Sequence, residues 1–313
     1  EPLYTGGDGE LAVLCKKLSK KDVTTKVKGL VELRGMCSTK PAPVLRKVVP
    51  HWIHMYGRLC YDRDRRVREQ LNVTLDMLVR TVPRAFSNRI DHLIGPWWVS
   101  MSDSCPEVSA AACAAFDALY DQQQRHEAAG VLRVHFPALA QHLKLVLGFR
   151  PADLAEAKLC SKDDAAEVYE RLMGSVFSCI ARLAVERSAT GVEDYGLDDV
   201  LQGSMWRFLR DKDFPLVRRE AYNLLSVICR EAPAYVQRSS VLAELSPLAF
   251  GMLDESYAPN LESMWECLLG FIRACPAECW RHVNCNKAVF PKLLQLLRAG
   301  KIPLQFVLPD MVT

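Results

Sequence analysis

Apolar positions along the chain recur with a helical period. Val23, Val27 and Leu30 stand at i, i+4, i+7, and Val67, Leu71, Leu75 and Leu78 at i, i+4, i+8, i+11. Both series predict amphipathic helices, and neither shows the alternation of a strand. Leu11, Leu14 and Leu18 predict a shorter helix before them. Pro41, Pro43, Pro83, Pro151, Pro215, Pro233 and Pro259 punctuate the periodic segments. No strand pair and no Asn-Gly hairpin turn stands out.

The helices repeat. With Val67, Val108 and Val217 aligned, position +4 is Leu71, Ala112 or Ala221. Position +8 is Leu75, Phe116 or Leu225, and position +11 is Leu78, Leu119 or Ile228. An acid-containing turn precedes each copy, and two copies begin Val-Arg (Val67-Arg68 and Val217-Arg218). A poorer copy at Val27-Lys28 would lie 40 residues before Val67, and Val108 lies 41 after it. An acidic turn, Val-Arg and an apolar helix at ~40–47-residue spacing is the signature of a HEAT or armadillo solenoid, whose helix pairs must stack to bury their apolar faces. The expected fold is therefore all-α, a right-handed HEAT/armadillo-like helical-repeat solenoid. The expected organisation is a flexible lead-in over 1–9 and one elongated domain over 10–313. In that architecture Arg68 pairs with the turn acid of a neighbouring repeat.

Charge sharpens this picture. Net charge over 313 residues is only +3, but residues 1–90 hold 18 Lys and Arg against 9 Asp and Glu, so the remainder is net negative. A basic head favours polyanionic partners at one end. Residues 16–28 carry six lysines and one acid. Ser19 is a natural N-cap with Asp22 three residues on. That would place Lys20 and Lys21 in a first helical turn, where the macrodipole disfavours cations. Lys21, Thr24, Thr25 and Lys28 then form a stripe suited to phosphate. A solvated lysine face is the competing reading. A second cluster holds Arg63, Arg65, Arg66 and Arg68, of which Arg65 and Arg66 are expected on the surface.

Twelve cysteines lie scattered without paired spacing, as reduced thiols of a cytosolic or nuclear protein do. Cys275, Cys279, His282 and Cys285 are the best metal candidate, but apolar Trp280, Val283 and Phe290 interleave with them and favour buried thiols. His51 and His54 lack a third ligand. Trp97-Trp98 suggests packing for at least one ring, with the other a candidate surface contact. The acids Glu193, Asp194, Asp198 and Asp199 read as a solvated linker, too loose for a calcium loop. No P-loop, dinucleotide fingerprint, nucleophile elbow or HExxH is present, so no catalytic residue is assigned.

The strings KKLSKKDVTTKVKGLVEL, WIHMYGRLCYDRDRRVRE and LIGPWWVSMSDSCPEVSAAACAAFDALY, in that order, resemble the N-terminal domain of listerin, a family of RING-type E3 ubiquitin ligases. MWRFLRDKDFPLVRREAYNLLSVICREAP is compatible with it. The resemblance is specific over residues 10–120 and weaker over 200–232. It implies a cytosolic protein of ribosome-associated quality control that acts on large ribosomal subunits carrying stalled nascent chains. The partners implied are ribosomal RNA, ribosomal protein and the nuclear export mediator factor. It also implies an E2 enzyme engaged through a RING absent from this chain, and zinc held only there. The docking role falls by resemblance on Lys16, Lys17, Lys20, Lys21, Asp22, Thr24, Thr25, Lys26 and Lys28. The exposed Arg65 and Arg66 join them on charge. The alternative is a generic HEAT-repeat scaffold or transport factor without a ribosome role.

Overall fold

The computed structural model describes residues 7–120, 125–190 and 196–300, all helix and connecting turn, with no strand among them. Contacts divide the chain into two compact units, residues 1–179 and 180–313. The expected lead-in over 1–9 falls partly outside the described residues. Within it, Asp8 already caps the first helix through the Glu10 and Leu11 amides at 3.0 and 3.2 Å.

The first unit is built of stacked helical pairs. The helices are α1 (Gly9–Leu18), α2 (Val23–Thr39), α3 (Ala42–Leu59), α4 (Arg65–Thr81), the short α5 (Pro83–Ser87), α6 (Ile94–Ser100) and α7 (Pro106–Leu119). They are followed by α8 (Arg125–Leu147), α9 (Pro151–Glu156) and α10 (Ala165–Thr190), which runs past the division. One row stacks α2 on α4 and α4 on α7, and α1, α3 and α6 pack against its members. The second unit continues with α11 (Leu197–Val200), α12 (Pro215–Glu231), α13 (Pro233–Val236), α14 (Ser239–Gly251), α15 (Leu261–Ala274) and α16 (Phe290–Arg298), with α12 packed on α15. Several prolines open helices at the first turn, where a missing N–H is harmless. No described helix is long and apolar enough to cross a membrane.

The aligned apolar ladder is the core of both units. Val67, Leu71, Leu75 and Leu78, and likewise Val217, Leu225 and Ile228, are buried. Close approach of helices needs two glycines. A Cβ on Gly29 would stand 3.2 Å from the Lys17 Cβ, and one on Gly95 would stand 2.4 Å from His142. That contact lets His142 reach Tyr61 at 2.8 Å, and burial pulls the imidazole down to about 4, so it is neutral.

Charge is built into the same ladder. Counted from the N-cap, Lys26 of α2, Arg68 of α4 and Arg218 of α12 occupy the same position, four residues on. Each reaches an acid ahead of the next stacked helix: Lys26 to Asp62 at 2.5 Å, Arg68 to Asp103 at 2.8 Å, Arg218 to Glu255 at 2.6 Å. Each acid also accepts the backbone N–H two residues further on, at 2.9, 2.9 and 2.8 Å. Arg68 and Arg218 donate backwards as well, to the carbonyls of Asp62 and Asp211. Arg171 joins Asp103 at 3.4 Å and the Tyr61 carbonyl at 2.9 Å; burial and the adjacent Arg68 lower it to about 10. On α7 the equivalent position is Ser109, which donates to the Met101 carbonyl at 2.7 Å. Arg68 thus has the structural role its Val-Arg motif implies. The first copy, however, begins at Thr25-Lys26 and not at Val27-Lys28, because Asp22 and not Ser19 is the N-cap.

Two other expectations change. Both Trp97 and Trp98 are buried, with Trp97 Nε1 donating to the Ala112 carbonyl at 3.0 Å and both rings edge-on to Phe116. Neither offers a surface ring. Glu193 and Asp194 lie outside the described residues, but Asp198 is buried and held by Arg238 at 2.5 Å and Arg187 at 3.4 Å. It is a packed acid, since a buried carboxylate needs paired donors.

Deleting one partner of a buried pair strands the other. Arg68→Met is expected to cost ~3–5 kcal/mol in urea unfolding, and Asp103→Leu together with Arg171→Met, which removes the second cation held on Asp103, should restore much of that loss. Additive losses in the triple variant would show the three side chains to be uncoupled. Glu255 gives a pH signature. Burial alone would raise its carboxyl, but Arg218, the Tyr257 N–H and the Tyr222 hydroxyl outweigh this and hold it at about 2. Its contribution is complete above the ordinary glutamate value of 4.5 and fades as pH falls toward about 2. Acid titration of stability should show this fall, and Glu255→Gln should remove it.

Candidate functional site: the basic amino-terminal turn

Eleven residues were candidates for docking, and the structure separates them by what they touch. α1 ends at Leu18 with Lys16 and Lys17 in its last turn, where cations meet the free carbonyls favourably. Ser19 is the C-cap of α1, its hydroxyl directed to the Cys15 carbonyl at 3.4 Å. Lys20 and Lys21 therefore precede the N-cap of α2 rather than sitting in a first helical turn. The macrodipole argument for them loses its force, while their exposure stands.

Asp22 caps α2. Its carboxylate accepts the Thr25 amide at 2.7 Å and the Thr25 hydroxyl at 2.6 Å, and these bonds hold it below the usual carboxylate range. Asp22 and Thr25 are thus occupied in starting the helix. Lys26 is half-buried on Asp62, and Lys17 reaches Glu32 at 2.6 Å. Thr24 is exposed. Lys16, Lys20, Lys21 and Lys28 are exposed, and no described acid pairs with them. The segment therefore presents four unpaired ammonium groups around one tight connection between two packed helices.

The second cluster divides likewise. Arg66 folds back onto its own cap, Asp64, with two donors at 3.0 and 2.8 Å. Arg65 is exposed, with Glu107 at 3.9 Å. Arg63 is bound to Asp164 at 2.6 Å and Glu167 at 2.9 Å. What the sequence pattern missed is the pairing of Lys26. Its spacing from Asp62, 36 residues, matches the 35 from Arg68 to Asp103, and that is the signal that could have found it.

Among the described residues no three His, Cys, Asp or Glu side chains come together to hold a metal ion. Cys275 and Cys279 are buried, and desolvation raises both thiols, Cys279 to about 12.

The family model for the N-terminal domain of the E3 ubiquitin-protein ligase listerin matches residues 7–305. The listerin of Mus musculus is 26% identical over 297 residues, covering 94% of this chain and 16% of its own length. That of Gallus gallus is 26% identical over 297 residues, with the same coverage of 94% and 16%. The chain thus spans about a sixth of the length of these relatives. Among solved structures, a designed armadillo repeat protein is 15% identical, with a TM-score of 0.34, over 83% of this chain and 99% of that one.

The cap separates structural from surface duty. Asp22→Ala is expected to cost ~1 kcal/mol of stability, whereas Thr24→Ala should leave the unfolding midpoint unchanged. Equal effects in thermal or urea unfolding would remove Asp22 from the cap.

Proposed function

The chain belongs to the listerin N-terminal domain family, and from that premise we propose that it is the docking module of a RING-type E3 ubiquitin ligase. The module binds large ribosomal subunits that carry stalled nascent chains and so supports their ubiquitination. The observation that carries the reading is the set of exposed, unpaired lysines Lys16, Lys20, Lys21 and Lys28. Internal acids occupy Lys17 and Lys26 but leave these four, and a point charge on a long stem suits a phosphate backbone.

In this reading the four ammonium groups contact ribosomal RNA or an acidic stretch of ribosomal protein, and Arg65 adds to the field. The nuclear export mediator factor binds beside this contact. The stacked helices supply a rigid base, so ordering costs at the interface fall only on the lysine side chains. Ubiquitin transfer, the E2 enzyme and zinc belong to the RING region of the parent protein, and the setting is the cytosol.

The test is co-sedimentation of the 313-residue chain with purified large subunits. Binding should weaken steeply as salt rises, through release of condensed counterions. Lys20→Glu, Lys21→Glu and Lys28→Glu together should abolish co-sedimentation while helicity and unfolding midpoint stay as in the parent. Undiminished binding by the triple variant would refute the lysine contact, and failure of the unmodified chain to co-sediment at all would favour a scaffold without a ribosome role.

A further inference from the structure

A cavity of about 250 Å³ opens in the second unit beside the C-terminal end of α14. It is smaller than the ~300–1,000 Å³ of sites for drug-sized ligands, and so suits a single amino-acid residue. Phe250 and Pro247 of α14, with Val283 and Ala288, make its apolar floor. Phe250 is buried, and its ring packs on that of Trp280 at 4.6 Å. The polar lining consists of donors without a carboxylate: Arg210, His282, Asn284 and Lys292.

Their partners decide which of these donors are available. Lys292 is held by Asp254 at 2.6 Å and adds no net charge. Asn284 commits its Oδ1 to the Lys287 amide at 3.2 Å, which leaves its NH2 group as a donor. Arg210 and His282 are exposed, and no acid among the described residues pairs with them. Arg210 is nevertheless held close. A Cβ on Gly251 would stand 3.3 Å from its Cδ, 3.4 Å from its Nε and 3.7 Å from its Cζ. The arm of the arginine therefore lies along the glycine at the last residue of α14. The helix end brings about half a negative charge, which leaves the guanidinium in excess.

From this cavity, its apolar floor and its one uncompensated guanidinium, we propose that the site captures the C-terminal residue of a polypeptide, with an apolar side chain on the floor and the α-carboxylate on Arg210. A guanidinium donates in a fork to both oxygens of a carboxylate. Asn284 and the imidazole of His282 supply further donors to the remaining lone pairs. One excess charge matches a carboxylate better than a phosphate dianion. Only a chain end carries a carboxylate and an apolar side chain on the same Cα. An internal Asp or Glu carries its charge at the tip of the side chain and leaves the floor unfilled. Capture of a terminal carboxylate is a recurring mode of peptide recognition. The site shares no residue with the lysine segment and does not depend on the docking reading.

The test compares N-acetyl-L-leucine with N-acetyl-L-leucinamide, which differ only in the carboxylate. Binding of each to the 313-residue chain is followed by saturation-transfer NMR at millimolar ligand. The acid should bind about tenfold more tightly than the amide, as expected of one charge-assisted hydrogen-bonded contact. Arg210→Gln should abolish that preference and leave binding of the amide unchanged. Ala288→Leu, which narrows the floor, should weaken both ligands; if it perturbs the circular dichroism, Arg210→Gln decides alone. Absence of binding by the acid, equal binding of acid and amide, a preference that survives Arg210→Gln, or displacement of the acid by an equal concentration of inorganic phosphate each overturns the proposal. The Lys20→Glu, Lys21→Glu, Lys28→Glu chain should bind the acid as the parent does, and loss of binding there would move the contact to the lysines. Large-subunit binding that survives Arg210→Gln but not the lysine triple leaves the docking reading intact, so the two ideas fail separately.

Discussion

The stacking of this protein depends on cations placed four residues beyond an N-cap and matched to acids before the next helix. Apolar burial alone does not set how one helix lies on the next, because hydrophobic contact is non-directional. Lys26–Asp62, Arg68–Asp103 and Arg218–Glu255 supply that direction. Each acid is satisfied on two sides, by the cation and by an amide of its own turn, so the turn and the stack are fixed together. Such pairs are weak sources of net stability, since desolvation offsets most of their attraction. Their stronger effect is negative: a slip of register would leave buried charges without partners. Asp103 shows the point, with Arg68 and Arg171 both held on it among buried or half-buried neighbours.

That constraint also decides which charges of the basic segment remain outside. Residues from Lys16 to Lys28 look uniform as letters. The stack requires one of them, Lys26, and the cap requires Asp22 and Thr25. Lys17 is drawn onto Glu32 across the α1–α2 contact that Gly29 permits. What is left is four exposed ammonium groups that no acid among the described residues pairs. The case for an anionic partner is stronger for these four than for the whole stretch, because their charge is not already neutralised.

Much of this was legible in the sequence, and the misses have physical causes. Val67, Val108 and Val217 fixed the repeat register because a buried β-branched residue followed by a cation is written in similar letters in two of the copies. The first copy uses Thr25-Lys26, and the resemblance of Val27-Lys28 to Val-Arg shifted it by two. Ser19 and Asp22 are both good caps at helix-compatible spacing, and local pattern does not choose between them. The choice comes from α1, whose last turn runs to Leu18 and takes Ser19 as its end. Asp198 was invisible as a packed acid because its partner Arg238 is distant in sequence.

Burial gives the two sets of charges different responses to salt. The ladder pairs are shielded by protein, and screening by mobile ions reaches them poorly. The exposed lysines face water directly, where a Debye length of ~8 Å at physiological ionic strength limits their reach. Ionic strength can therefore change what the surface binds without changing how the helices stack. A helical-repeat module suits that division, because one face of each helix is committed to its neighbours and the other is free to carry charge. Evolution of the surface is then decoupled from the fold: Lys20 or Lys21 can be replaced without touching a buried carboxylate, whereas Lys26, five residues further on, cannot.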